Sequence, residues 1–180
     1  MPVLETLLPI GIIAQYAAVA SDTFSSELGI LSKTTPFLIT APWKNVPRGT
    51  NGGVTIEGLN YGALGSFLLT LTAILALRLA EPHILMDFRT TVLLSVMGFN
   101  GSVIDSVLGA VVQATVTDKG TGKVVEGPGG QRVRFEAGGS RTAIGLDLLT
   151  NNGVNFVMAA LTSIFAMGVA WSGGLSLTGK

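Results

Sequence analysis

Four stretches of this chain are long and apolar enough to demand a bilayer, and they lie at 3–20, 59–79, 91–116 and 154–175. A membrane-crossing helix needs about 20 mostly apolar residues, within about 17–25. In lipid, only helices and closed barrels satisfy their own backbone hydrogen bonds. The second stretch, with YGALGSFLLTLTAILAL at its heart, is the strongest. The first carries Glu5 and Pro9, and the third is interrupted by Asn100 and Asp105. Only 12% of the 180 residues are charged and 48% are hydrophobic, against roughly 25% charged in an average soluble protein. The sequence therefore reads as an all-α polytopic membrane helix bundle. It has about four membrane segments in a single domain over 1–180, with motif loops at 21–58 and 117–153. Ala18-Val19-Ala20 before Ser21 resembles a signal-peptidase site, but a signal peptide needs a basic n-region. Here the only early charge is Glu5, so a membrane span is the preferred reading.

The loops are not charged alike. With four spans, 21–58 and 117–153 share one side of the membrane, and the termini share the other with the short loop at 80–90. The first side holds Lys33, Lys44, Arg48, Lys119, Lys123, Arg132, Arg134 and Arg141; the second holds Arg78, Arg89 and Lys180. Basic residues mark the cytosolic side of short loops, so the two large loops are expected in the cytosol or its organellar equivalent. Lys+Arg equals Asp+Glu at 11 each, which offers no basic surface for nucleic acid. The absence of cysteine excludes a disulfide framework and a thiolate metal site. His83 is the one histidine and reads as solvated in the 80–90 loop, so neither a Ser-His-Asp triad nor an HExxH site is available.

The remaining polar residues gather toward that same side. SDTFSSELG follows the first span and supplies Asp22 and Glu27 among hydroxyls. Taken alone it reads either as a helix cap or as part of a Mg²⁺ site built from few carboxylates plus water and phosphate. PWKNVPRGTNGG precedes the second span. Its Lys44 and Arg48 suit phosphate oxygens, while Gly49, Gly52 and Gly53 suit a backbone anion nest. Thr50 and Asn51 lie between them, and an ordinary turn is the bland alternative. No GxxxxGK[ST] loop occurs, and Lys123 in GTGKVV reads as a hairpin turn. Asp105 lies inside an apolar span, where a carboxylate is costly and by default functional. Gly101, Asp105, Gly109 and Gln113 recur every fourth residue and form an inward stripe. The run Phe99-Asn100-Gly101 is a candidate helix break. On the second span Gly58, Gly62, Ser66 and Thr70 form a small-residue face. TNNGVNF opens the fourth span with Asn151 or Asn152 as N-cap. Asn152 and Asn155 sit on a face running through Thr162 and Ala166. The Gly-rich stretch after 114 reads as a small β-hairpin in the last cytosolic loop.

ASDTFSSELG, PFLITAPWKNVPRGTNGGVT, GSVIDSVLGAVVQ and NNGVNF occur in that order. Together they closely resemble the transmembrane protein 19 family, which includes the phytyl-phosphate kinases of tocopherol synthesis. The resemblance covers about 21–172. It implies a multi-pass protein of an endomembrane or organelle membrane, and a chain short at its N-terminus. In characterised members it implies transfer of a phosphoryl group from a nucleoside triphosphate to an isoprenyl monophosphate at the cytosolic face. By that resemblance Asp22, Glu27 and Asp105 are the catalytic, Mg²⁺-binding carboxylates. Arg48, Thr50, Asn51, Gly52, Gly53, Gln113, Asn151, Asn152 and Asn155 occupy its other motifs and, with Lys44 added for its charge, are the expected substrate and phosphate contacts. The partners implied are the lipid phosphate and the nucleotide. The alternatives are a transporter using Asp105, or a non-catalytic and truncated multi-pass protein.

Overall fold

A computed structural model describes residues 2–82, 87–125, 139–173 and 175–177. Helix α1 spans Pro2–Gly29, α2 Ile56–Ala80, α3 Phe88–Val112 and α4 Asn151–Trp171. All four are long and apolar enough to cross a membrane. Each differs from its expected span in a way that local chemistry explains. The first does not end at Ala20: SDTFSSELG continues the helix to Gly29, so neither Ser21 nor Asp22 is a cap. Thr55 starts α2 by accepting the Gly58 N–H. Asp87 starts α3 with bonds from the Arg89 and Thr90 N–H groups. Those donors hold the Asp87 carboxyl below the usual carboxylate range, the Thr90 N–H contributing most. The stabilisation from this cap is therefore present above the ordinary range and is lost as pH falls through the lowered value. Thr150, not Asn151 or Asn152, caps α4 through the Gly153 N–H.

Helix α3 runs unbroken through Phe99-Asn100-Gly101. Asn100 donates its side-chain amide to the Val96 carbonyl, 2.9 Å away, and Gly101 is buried against α1 and α4.

Helix α1 is packed against all three others, and residues without bulk make this possible. A Cβ on Gly62 would lie 3.1 Å from the Ser21 hydroxyl, and one on Gly65 only 2.7 Å from the Phe24 ring. A Cβ on Gly98 would lie 2.6 Å from the Ala17 Cβ, and one on Gly101 2.5 Å from the Ala18 Cβ. Gly11 meets Ser163 and Met167 of α4 in the same way. The expected face of α2 is buried: Gly58, Gly62, Ser66 and Thr70, joined by Gly65 and Ile74. Ser66 crosses to α3 by donating to the Ser95 carbonyl at 2.7 Å. Away from the loops, Ile10, Ile13, Ile74, Leu94, Met97 and Ala166 form an apolar core closed by Leu175 and Leu177.

Two small sheets sit beside the helix ends. β1 (Phe37–Leu38), β2 (Ala41–Asn45) and β3 (Gly53–Val54) form an antiparallel sheet in the order β2-β1-β3. This sheet leaves no readable periodicity in the sequence, because its strands are two to five residues long. β4 (Thr115–Asp118) pairs with β5 (Arg141–Ile144), which is the expected hairpin-like element. Lys119–Gly122 make a tight turn in which Asp118 accepts from the Gly120 and Thr121 N–H groups. Arg132, Arg134 and His83 lie outside the described residues.

Replacing Gly98 by Ala should loosen the α1–α3 contact by about 1–3 kcal/mol, the usual cost of overpacking. Gly168→Ala is the control, since a Cβ there meets nothing within 4 Å. That variant should be neutral or slightly stabilising in the same detergent-unfolding titration.

Candidate functional site

A cavity of about 550 Å³ opens at the end of the bundle where both large loops lie. Its walls come from the last turns of α1, the 48–55 loop, the end of α3, the β4 segment and the start of α4. Of the residues singled out in the sequence, Asp22, Glu27, Asp105, Arg48, Thr50, Asn51, Gly52, Gly53, Gln113 and Asn151 line it. Lys44, Asn152 and Asn155 do not line it. Helical continuation of α1 is what carries Asp22 inward, as 22, 25, 26 and 29 fall on one helical face.

Asp22 and Asp105 come from different helices and both line the cavity. Each is held by a third side chain. Ser102 donates its hydroxyl to Asp22 Oδ1 at 3.3 Å, joining α3 to α1. Turning the Asn155 amide so that its nitrogen donates places that nitrogen 2.9 Å from Asp105 Oδ1 and 3.2 Å from the Asn151 carbonyl. Asn155 is thus a partner of the carboxylate, set behind the cavity wall. Glu27 lines the cavity from an exposed position. Among the described residues, no three His, Asp or Glu side chains gather closely enough to hold a metal by themselves. A carboxylate pair still fits Mg²⁺, which is usually bound through one or two carboxylates and completes its shell with water and phosphate.

Several candidate ligands of the glycine loop also pin that loop in place. Arg48 donates to the carbonyls of Ile30, Ser32 and Thr34 and so ties the loop to the end of α1. The Asn51 N–H reaches the Thr115 hydroxyl, and its side-chain amide reaches the Ala114 carbonyl, both at 3.1 Å. The Thr50 hydroxyl and the Gly53 N–H are satisfied within the loop. Gly52 has φ +73°, and a Cβ there would strike Ala110 of α3 and lie 2.6 Å from the Ser106 carbonyl. Only glycine lets the loop press this closely onto α3. The later loop is fastened too: the N–H groups of Leu148 and Leu149 both bond to the Val112 carbonyl at the end of α3.

Sequence reasoning missed Asp147 and Thr150, which also line the cavity. The signal was an acid and a hydroxyl just before the polar start of α4. Lys44 stands in the exposed strand β2 and points to other business.

The chain matches the family described as Integral membrane protein DUF92 over residues 1–163. It belongs to that family. It is 40% identical to Protein PGR of Arabidopsis thaliana over 157 residues, covering 85% of this chain and 51% of that protein. It is 40% identical to an uncharacterized membrane protein of Methanocaldococcus jannaschii over 104 residues, 58% of this chain and 40% of that protein. It is 41% identical to the chloroplastic Protein VTE6 of Arabidopsis thaliana over 63 residues, 35% of this chain and 19% of that protein. The chain thus spans about half or less of the length of these relatives. No solved structure matches it. The protein is an integral, multi-pass membrane protein.

Removing the Arg48 guanidinium should free the segment after α1. Arg48→Ala is expected to speed amide exchange at Ile30–Ser32 at least several-fold. Arg48→Lys should rescue it little, since an ammonium lacks the planar fork that spans three carbonyls.

Proposed function

We propose that this chain carries a phosphoryl-transfer site acting on a lipid monophosphate, with a nucleoside triphosphate as donor and Mg²⁺ as cofactor. The observation that carries the reading is the convergence of Asp22 and Asp105, from separate helices, on one polar cavity at a membrane-facing helix end. The resemblance to isoprenyl-phosphate kinases supports it, and so does the partial match to VTE6. By the basic-residue asymmetry of the loops, this end is the cytosolic one or its organellar equivalent.

A phosphate monoester loses its second proton near pH 6, so at neutral pH the acceptor is already a nucleophile and needs no general base. An oxygen of the lipid monophosphate attacks the γ-phosphorus of the triphosphate. The bond from that phosphorus to the β–γ bridging oxygen breaks, giving a lipid diphosphate and a nucleoside diphosphate. Such a reaction depends on positioning and charge stabilisation. When bound, Mg²⁺ would supply the positive charge that offsets the phosphate charge. Asp22 and Asp105 would hold it, while Ser102 and Asn155 keep the two carboxylates turned toward the cavity. Gln113 and Asn151 supply further polar wall for phosphate oxygens. An isoprenyl tail needs an apolar medium, and the bilayer beside the helices provides it.

The test uses the protein in lipid nanodiscs with Mg²⁺, γ-labelled ATP or CTP, and phytyl or geranylgeranyl monophosphate. The expected product is labelled lipid diphosphate. Asp105→Asn should lower its rate by at least 100-fold, while Asn155→Ala should lower it less and raise the Mg²⁺ requirement, as loss of an outer-shell partner typically weakens a metal site about 10–100-fold. Full activity in Asp105→Asn would overturn the assignment.

A further inference from the structure

The structure leaves Lys44 and its neighbour Trp43 without a role in the cavity, although the sequence around them is among the chain's most distinctive. We propose that the segment Pro42–Lys44 is a membrane-surface anchor, with Trp43 seated in the headgroup layer and Lys44 drawn to anionic lipid phosphates.

The geometry begins with a register shift. β1 and β2 pair Leu38 with Ala41 and then Phe37 with Asn45, so three residues of β2 face a single step of β1. Bulged residues bend a strand and re-aim their side chains. Here the bulge turns Pro42, Trp43 and Lys44 outward on the edge strand of the sheet, and all three are exposed. Trp43 is 85% exposed. A tryptophan so bare is costly in water and is favoured at the level of lipid headgroups, where its ring is half in hydrocarbon and its N–H is wet.

The sheet stands at the right height. β3 ends at Val54, directly before the cap of α2. Arg48 binds the far side of the same loop to the carbonyls just beyond the end of α1. The bulge is thus tethered at both ends to helix termini, and in a membrane-crossing bundle those termini lie at the lipid–water boundary. Ile30 and Leu31, at the end of α1, are each 70% exposed and extend the apolar surface there. Lys33 and Lys44 add two cations, which favour anionic lipid surfaces. The occupant this surface fits is therefore the headgroup layer of the membrane the helices already cross. The second tryptophan, Trp171, ends α4 at the opposite face, so one indole marks each boundary, as in an aromatic belt.

The test isolates Trp43 by the conservative Trp171→Phe change, in full-length protein reconstituted into phosphatidylcholine vesicles. The expected result is blue-shifted Trp43 emission, quenched more by lipid brominated near the headgroup than by lipid brominated deep in the chain. Adding phosphatidylserine should increase the shallow quenching, and Lys44→Glu should remove that increment. Emission at the wavelength of free tryptophan, quenched by aqueous iodide and indifferent to brominated lipid, would overturn the anchor. An unchanged response to phosphatidylserine in Lys44→Glu would overturn the role of the lysine. None of these readouts depends on phosphoryl transfer.

Discussion

Helix α1 can be shared by three neighbours only because its contacts are made through residues that occupy almost no space. In lipid there is no hydrophobic drive between helices, so packing and hydrogen bonds must supply the association. Ala17 and Ala18 on α1 face Gly98 and Gly101 on α3, and Ser21 and Phe24 face Gly62 and Gly65 on α2. These approaches bring the ends of α1 and α3 close enough for Asp22 and Ser102 to bond. With bulkier side chains at the seam the two carboxylates would sit apart, and the cavity would lose its paired acids. The site is therefore a product of the glycines below it.

The two large loops then build the remaining walls by hydrogen bonds to helix ends. Arg48 spends its donors on backbone carbonyls, Asn51 bridges to the strand after α3, and Leu148 and Leu149 close on Val112. A loop fixed at so many points presents its surface with little freedom left to lose on binding. This is preorganisation in the ordinary sense, with the ordering entropy met during folding.

Much of this was legible in the residues. The four apolar runs predict four spanning helices because length and hydropathy alone decide membrane insertion. The stripe Gly101, Asp105, Gly109 and Gln113 is readable because its spacing is that of a helix. The end of α1 was not readable: a hydroxyl-rich, acidic stretch serves equally as a cap or as a polar face, and only the neighbouring helices decide. Nor could the sequence separate pins from ligands. Arg48 and Asn51 have the chemistry of phosphate contacts, yet backbone carbonyls 14–18 residues away bind the one and a carbonyl 63 residues away binds the other. Asn155 looked like a ligand and is the partner of Asp105, a role that depends on how α3 and α4 cross.

The order of the elements along the chain has a consequence for biogenesis. Of these four helices, α1 precedes the other three that pack on it, and its partner α4 is the last of them in the chain. Until α4 enters the membrane, Asp105 has no Asn155 to meet, and Gly11 has no Ser163 or Met167 against it. A nascent chain that stalls before α4 therefore presents a carboxylate and bare glycine surface to lipid. The acidic pocket is thus finished only when the later helix is in place.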